Sequence, residues 1–308
     1  MTALEDVLVD YLRIRRAMGY TLIRDGKLLA QFVAYLHQRG ADTITTELAL
    51  EWATLPVGPD RSWPARRLGN VRCFARYAQT INPATEVPPT RLLTGGPCRA
   101  TPYLYSQQEI TALLTAAAGL REPLRAATFQ TLIGLLAVTG MRISEAIALD
   151  RRDLDSTYAV LTVRNSKFNK TRELPLHPDS VRALTDYQRR RDQLCPSPSC
   201  PAMLVSRGGN RLRYSNTQNT FASLLRDAGL GPRSASCRPR LHDLRHTFAV
   251  ATLLDAYAQG EDARQRLALL STYLGHIDPA ATYWYLSAAP ELMAFAGERL
   301  EQHLEARR

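Results

Sequence analysis

Three kinds of side chain near the end of the chain could act together on a phosphate ester. A histidine and an arginine, His242 and Arg245, are three positions apart, and one turn of a helix would place them on the same face. An imidazole that hydrogen-bonds and a permanent cation suit an oxyanion such as a phosphodiester. A second histidine follows at His276, and then come Tyr283 and Tyr285, whose phenol oxygens are possible covalent nucleophiles. This segment therefore indicates covalent chemistry on a nucleic-acid backbone.

The order and spacing of these groups resemble the active-site signature of the tyrosine recombinases, the superfamily of the phage integrases and Xer proteins. That signature is H-x-x-R, then L-G-H, then a tyrosine nine residues after the last histidine, and here the matching tyrosine is Tyr285. The resemblance implies a site-specific DNA recombinase or integrase that cleaves and rejoins strands through a 3′-phosphotyrosyl intermediate. It implies no metal or other cofactor, and catalytic roles for His242, Arg245, His276 and Tyr285.

The resemblance also implies the fold class: mainly α with a small β-hairpin or sheet, in which a helical core-binding (SAM-like) domain precedes a mixed α/β catalytic domain. Amphipathic periodicity and helix-ending signals in the first part of the chain predict helices at 4–19, 21–38, 45–54 and 64–79. A Gly-Gly-Pro break near residue 96 predicts a linker. We therefore expect a DNA-binding domain over 1–95, a linker over 96–105 and the catalytic domain over 106–308.

The segment T-G-M-R-I-S-E, which ends at Glu145, combines an anion-binding position with a carboxylate. Gly140 is typical of a helix-ending glycine, and the next helix would begin beside Arg142, where exposed backbone N–H groups also favour an anion. An arginine at a helix start is more often a surface residue. The segment nevertheless resembles the T-G-x-R-x-x-E box of the recombinases, which implies that Arg142 binds the scissile phosphate and that Glu145 orients it.

Of the 39 Lys and Arg residues only three are lysines, and two of these, Lys167 and Lys170, lie in one loop between strands predicted at 158–163 and 172–176. A lysine can give up its proton near neutral pH when its pKa is lowered, whereas an arginine cannot. A proton-donating role would explain the lysine, and chance is the alternative. The loop resembles the family pattern K-x-x-K-x-R-x-x-P, which implies that Lys167 is the general acid and that Lys170 contacts the DNA backbone.

The bulk composition favours a polyanionic partner. The net charge is +10 and the pI about 9.6, which suits double-stranded DNA better than a membrane; a merely basic soluble protein is the alternative. The longest apolar run, 131–140, is shorter than the ~20 residues of a membrane helix, and no signal peptide opens the chain. We therefore expect a cytoplasmic, nucleoid-associated protein. The cysteines, Cys195 and Cys200 included, form no metal-site pattern.

Clusters of arginine predict further contacts with DNA phosphates. One cluster lies on the fourth predicted helix, where Arg72 and Arg76 share a face; a solvated helix surface is the alternative interpretation. Another pair of arginines follows a Gly-Gly turn after a strand predicted at 203–206. Together with the loop lysine, the predicted DNA contacts are Arg66, Arg67, Arg72, Arg76, Lys170, Arg211 and Arg213.

Residues 290–306 have the pattern of a final amphipathic helix. The resemblance implies that it packs against a neighbouring protomer in a homotetramer on synapsed DNA; packing on its own domain is the alternative. Two other functions remain beside recombination: a type IB topoisomerase-like enzyme, which rejoins the same strand, and a catalytically inert DNA-binding protein. The chain length and the predicted hairpin favour recombination. The segment around His276 resembles the integrases of mobile elements, which implies integration or transposition; resolution of chromosome dimers is the alternative.

The spacing also predicts which tyrosine attacks the DNA. Residues two apart on a helix point about 200° away from each other, so only one of Tyr283 and Tyr285 can face the phosphate. Because phenylalanine keeps the ring and lacks the nucleophilic oxygen, Tyr285→Phe should bind DNA and form no covalent adduct. Tyr283→Phe is the matched control and should still form one. Peptide mapping of the adduct checks the assignment, and a nucleotide attached to Tyr283 would overturn it.

Overall fold

The computed structural model describes residues 4–55, 62–93, 101–164, 171–260 and 262–275. The chain divides into two units, Met1–Arg99 and Ala100–Arg308, and the division falls inside the stretch predicted as a linker. Each unit encloses its own hydrophobic core. None of the described helices is both long enough and apolar enough to cross a lipid bilayer.

Unit 1 is built from helices whose apolar faces meet in one core. Phe32 and Phe74 are fully buried, and the ring of Tyr11 lies 5.5 Å from that of Phe74. Acidic residues begin the first helix and arginines end it, as the helix dipole favours. The described helices, close to their predicted ranges, are α1 Leu4–Ala17, α2 Ile23–Gln38, α3 Thr46–Thr54 and α4 Trp63–Ile81.

Unit 2 is organised around a buried helix, Pro123–Thr139, whose sequence is apolar on every side. The helix before it begins with the predicted capping box: Ser106 Oγ accepts from the Glu109 N–H at 3.1 Å, and Glu109 Oε2 accepts from the Ser106 N–H at 2.8 Å. The described helices of this unit are α5 Gln107–Ala118, α6 Pro123–Thr139, α7 Ile143–Ala148, α8 Pro178–Leu194, α9 Tyr214–Asp227, α10 Asp243–Ala258 and α11 Ala263–Leu274.

A small antiparallel sheet in unit 2 has the strand order β1-β2-β3, with β1 Leu154–Asp155, β2 Val160–Val163 and β3 Arg172–Pro175. The two longer strands are those that the sequence predicts, whereas β1 is too short to show an alternating pattern. The prediction of a strand at 203–206 is wrong: this segment makes one isolated bridge, between Val205 and Arg211, because the chain reverses at the Gly-Gly turn that follows it. The predicted fold class, mainly helical with a small sheet, is confirmed.

Gly140 ends α6 as predicted, and its φ of 58° lies in the left-handed region that favours glycine. A Cβ atom at this position would lie 2.4 Å from Cδ1 of Phe248 in α10 and 3.1 Å from Cδ2 of Leu274 in α11. The missing side chain therefore lets α10 and α11 pack directly on the backbone at the end of α6. That backbone supplies a hydrogen-bond acceptor to the site described below.

Gly140→Ala should destabilise the protein more than the same change at another left-handed glycine. Gly229 is the matched control, because its φ is 68° and no atom lies within 4 Å of its Cβ position. Both changes carry the left-handed backbone penalty of about 1–2 kcal/mol, and the clash at Gly140 adds a further ~1–3 kcal/mol. Urea unfolding followed by circular dichroism measures the difference. Equal losses at the two sites would contradict the proposed close packing.

Candidate active site

Arg142 and Glu145 form a capping interaction at the start of α7. The Arg142 N–H donates to Glu145 Oε2 at 2.9 Å, and Arg142 Nη1 donates to Glu145 Oε1 at 2.8 Å. Glu145 is 5% exposed, so its carboxylate holds both the backbone and the guanidinium of Arg142 from inside the protein. The orienting role predicted for Glu145 requires a contact of this kind.

Arg172, the first residue of β3, is a second partner of Glu145. Its Nη1 donates to Oε1 at 3.1 Å and its Nη2 to Oε2 at 2.8 Å, which is the bidentate geometry of a strong arginine–carboxylate pair. Burial alone would raise the pKa of Glu145, but the hydrogen bonds and charges of Arg172 and Arg142 outweigh it and lower the pKa to about 2. Glu145 is therefore ionised at neutral pH and offsets part of the charge of the two arginines.

Three guanidinium groups donate to the carbonyl oxygens of three consecutive residues at the end of α11, here called the α11 carbonyl edge (Tyr273, Leu274 and Gly275). The final carbonyls of a helix lack partners inside the helix and carry the negative end of its dipole, so they attract cations. The nitrogen-to-oxygen distances are 3.0 Å from Arg172 Nε to Tyr273, 2.8 Å from Arg245 Nη2 to Leu274, and 3.3 Å from Arg142 Nη2 to Gly275.

Arg245 links the α11 carbonyl edge to the end of α6. Its Nη1 donates to the carbonyl oxygen of Gly140 at 2.7 Å, and the residue is only 2% exposed. Because carbonyl oxygens carry only partial charge, these bonds fix the orientation of the guanidinium without supplying a full counter-charge. Arg142 and Arg245 are thus brought together by acceptors that belong to adjacent residues.

His242 lies at the start of α10, one turn before Arg245. Part of the residue is exposed to solvent, and three guanidinium groups lie nearby. The partial burial and the charges of Arg245, Arg142 and Arg240 lower the pKa of His242 to about 4. The imidazole is therefore neutral at pH 7 and can donate one N–H while its other nitrogen accepts.

Asp243 anchors the first turn of α10. It is fully buried, and its carboxylate accepts from the Arg240 N–H at 2.9 Å, from Nε at 3.1 Å and from Nη2 at 3.0 Å. The ring of His246 packs edge-on against His242, with 4.9 Å between centroids. These contacts fix the start of α10 and hence the direction in which His242 points.

Comparison with known proteins identifies the family. Residues 104–291 match the phage integrase family. Over 313 aligned residues the chain is 42% identical to the putative integrase/recombinase y4rB of Sinorhizobium fredii, with 100% of both proteins covered. The chain belongs to the phage integrase family. It is therefore a tyrosine recombinase, an enzyme that cleaves and rejoins DNA strands, as the sequence predicts, and its relatives support neither the topoisomerase-like nor the inert alternative.

Solved structures share the fold of the recombinase at low sequence identity. The Tn1549 transposon integrase superposes with a TM-score of 0.67 at 16% identity, with 97% of this chain and 100% of that chain covered. Lambda integrase superposes with a TM-score of 0.63 at 16% identity, covering 92% of this chain and 77% of that chain. At these identities the likeness concerns the fold alone.

Several predicted site residues of the recombinase lie outside the described residues. The described chain adjoins them: β2 ends before the loop with the two lysines, β3 begins after it, and α11 ends just before the second histidine. Their assigned roles stay predictions, as does the final helix at 290–306. The residues concerned are Lys167, Lys170, His276, Tyr283 and Tyr285.

Arg67, predicted as a DNA contact, is a buried residue of unit 1 and requires a correction. It is 7% exposed, and its guanidinium carbon lies 3.6 Å from the ring centroid of Trp52. Burial lowers the pKa of Arg67 below its ordinary value. A cation–π contact of this kind contributes about 0.5–2 kcal/mol. Arg67 therefore packs α4 against α3 instead of reaching a phosphate.

The other predicted DNA contacts that the structure describes form two groups: arginines that hydrogen-bond to other parts of the protein, and arginines that are exposed to solvent. Arg72 donates to the carbonyl oxygens of Pro88 and Pro89, each at 2.7 Å, and so braces the chain after α4. Arg211 pairs with Asp150 at 2.5 Å and donates to two further carbonyls, while its side chain stays 34% exposed, so its contact with DNA stays a prediction. The residues that present exposed surface are Arg66, Arg76 and Arg213.

Arg172 is a site residue that was not predicted from the sequence, although a signal was present. Arg172 is the arginine of the K-x-x-K-x-R-x-x-P pattern, yet the pattern does not reveal its partner Glu145. Among the described residues, no group of histidine, cysteine and carboxylate side chains could hold a metal ion.

His242 should titrate near pH 4 in the DNA-free recombinase. Arg142→Gln removes one nearby positive charge, so the pKa of His242 should rise towards 6.5 without reaching it, since burial is the largest cause of the shift. NMR titration of the ring protons, assigned with His242→Asn, measures both values. Arg189→Gln, which alters an exposed arginine of α8, is the control and should leave the pKa unchanged. A midpoint near 6.5 in the unaltered protein would contradict the described surroundings of the ring.

Proposed function

We propose that the recombinase cleaves DNA with Tyr285 as nucleophile and that Arg142, Arg245, His242 and His276 bind the scissile phosphate. One observation supports this more than any other. Arg142 and Arg245 donate to adjacent carbonyl oxygens of the α11 carbonyl edge, and the neutral His242 lies beside them. Donors that are fixed before the substrate arrives stabilise a developing oxyanion without reorganisation at the moment of reaction.

In the proposed reaction the phenol of Tyr285 loses its proton to water, its oxygen attacks phosphorus, and the bond between phosphorus and the 5′ oxygen breaks. A phenol, with a pKa of about 10, ionises far more readily than an alcohol. Lys167 donates a proton to the departing 5′ oxygen. The product is a 3′-phosphotyrosyl link that keeps the energy of the broken bond. The 5′-hydroxyl of a second strand then attacks this link, releases the tyrosine and completes the exchange.

We further propose that the recombinase acts on double-stranded DNA as a homotetramer in which residues 290–306 contact a neighbouring protomer. The net charge of +10 favours DNA as the partner. Among the proteins of similar fold, XerH is bound to a difH substrate and lambda integrase forms a tetramer bound to a Holliday junction. These features support an enzyme that works at the nucleoid in the cytoplasm.

The biological role that we propose is integration or transposition of a mobile element. A relative that matches over its whole length is a putative integrase/recombinase, and a protein of similar fold is a transposon integrase bound to transposon right end DNA. The sequence around His276, which resembles mobile-element integrases, supports the same role. The DNA to test is therefore the sequence that flanks the gene of the recombinase, searched first for inverted repeats.

Nicked duplexes that together cover this flanking DNA test the chemistry. A nick beside the cleavage point lets the short 5′-ended piece leave, so a covalent protein–DNA adduct should accumulate with the unaltered protein. Arg142→Ala and Arg245→Ala should each slow adduct formation roughly 10²–10³-fold, since each removes a donor to the phosphate. Duplex affinity should stay near that of the unaltered protein because it is spread over many cationic contacts.

Arg189→Ala is the control variant and should cleave normally, because the side chain is 73% exposed and pairs only locally with Asp186. Joining of strands from two different duplexes should follow cleavage. Absence of a covalent adduct on every one of these nicked duplexes would reject the covalent mechanism. Loss of duplex binding in Arg142→Ala would show that the residue does more than bind the scissile phosphate.

A further inference from the structure

All three nitrogens of the Arg172 guanidinium group donate to protein atoms. Its Nη1 and Nη2 donate to the two carboxylate oxygens of Glu145, and its Nε donates to the Tyr273 carbonyl oxygen at 3.0 Å. The side chain is 13% exposed. Three of the five N–H donors of the group are thus directed at protein acceptors, so Arg172 can act on a bound phosphate through the groups that it holds.

Glu145 is the first of those groups, and Arg142 shares it. Oxygen Oε1 accepts from Arg142 Nη1 and Arg172 Nη1, whereas Oε2 accepts from the Arg142 N–H and Arg172 Nη2. With Arg172 in place, the carboxylate is held at both oxygens from two sides. Without it, the plane of the carboxylate would be fixed from one side only, and the direction of the Arg142 guanidinium would be less well defined.

The end of α11 is the second of those groups. Gly275 has a φ of 68°, and a Cβ at this position would lie 3.0 Å from Nη1 and 3.2 Å from Cζ of Arg172. The guanidinium therefore packs directly on the α11 carbonyl edge, where the same edge also binds Arg142 and Arg245. Arg172 is also the residue at which β3 begins, paired with Val163 across the hairpin.

We propose that Arg172 is a positioning residue for strand cleavage: it locks Glu145 to the α11 carbonyl edge, so that Arg142 presents its guanidinium to the phosphate in one orientation. The inference rests on the proposed function, in which Arg142 binds the scissile phosphate. Lysine cannot replace this arginine, because a single ammonium group cannot grip two carboxylate oxygens and a carbonyl in fixed directions. The role thus belongs to the fork-shaped group and not to the positive charge alone.

Two variants test the role while keeping the buried charge balanced. Arg172→Lys keeps the charge, and the double variant Glu145→Gln with Arg172→Gln removes both charges together. Each should lower the rate of adduct formation on the nicked duplex by about 10–100-fold, the usual effect of losing a group that orients a reacting one. Glu145→Gln alone should show a defect similar to that of the double variant, because residues that act as a unit are not additive.

A neutral phosphate analogue separates positioning from mere loss of structure. A methylphosphonate at the cleavage position lacks one negative charge and depends less on Arg142. The defects of Arg172→Lys and Arg142→Ala should both shrink on this substrate relative to the normal phosphodiester. Equal defects of Arg172→Lys on both substrates would overturn the proposal and leave Arg172 as a stabilising residue only.

A second substrate carries sulfur in place of the 5′ bridging oxygen at the cleavage position. A thiolate leaves without a proton donor, so this substrate does not need a general acid. Lys167→Ala should recover most of its rate on this substrate, whereas Arg172→Lys should not. Recovery of Arg172→Lys would overturn the proposal in favour of an action through the lysine loop. Arg189→Lys is the matched control and should cleave every substrate normally. If the unaltered protein formed no adduct at all, the proposed function would fail, and not the role of Arg172.

Discussion

The site depends on one interaction, the hydrogen bonds from three guanidinium groups to the carbonyl oxygens at the end of α11. Cations that lie this close repel each other, and the negative end of a helix offsets that repulsion without adding a side chain. The bonds also tie α11 to three separate parts of unit 2: the end of α6 through Arg245, the start of α7 through Arg142, and β3 through Arg172. A helix terminus thus organises a site whose other parts are distant in sequence.

The ionisable groups around this edge make the folded state less stable as the pH falls. The pKa of His242 is lowered from 6.5 to about 4, so its contribution to stability is present above 6.5 and is lost as the pH falls through this window. The pKa of Glu145 is lowered from 4.5 to about 2, and its contribution is lost below about 4.5. Acidification therefore destabilises the folded state through both groups.

Much of the site could be predicted from the sequence because its donors are side chains at short spacing. The H-x-x-R pair and the T-G-x-R-x-x-E segment give the types of the groups, and Glu145 reaches Arg142 within one turn. The acceptors could not be predicted. Every residue has a main-chain carbonyl, so the sequence does not indicate which carbonyl oxygens lie within reach of an arginine. The pairing of Arg172 with a residue 27 positions away is likewise set by how β3 meets α7. Arg67 misled the charge-based interpretation because the aromatic ring that it covers lies on another helix.

Acceptors that belong to the main chain have a consequence for how such a site can evolve. Exchange of the side chain at Tyr273 or Leu274 leaves the carbonyl oxygen that each residue offers to an arginine. Sequence drift at these two positions is thus limited by how the side chains pack and not by the hydrogen bonds to the guanidinium groups. The vulnerable property is the path of the chain: an inserted residue or a proline in the last turn of α11 would displace all three acceptors in a single event.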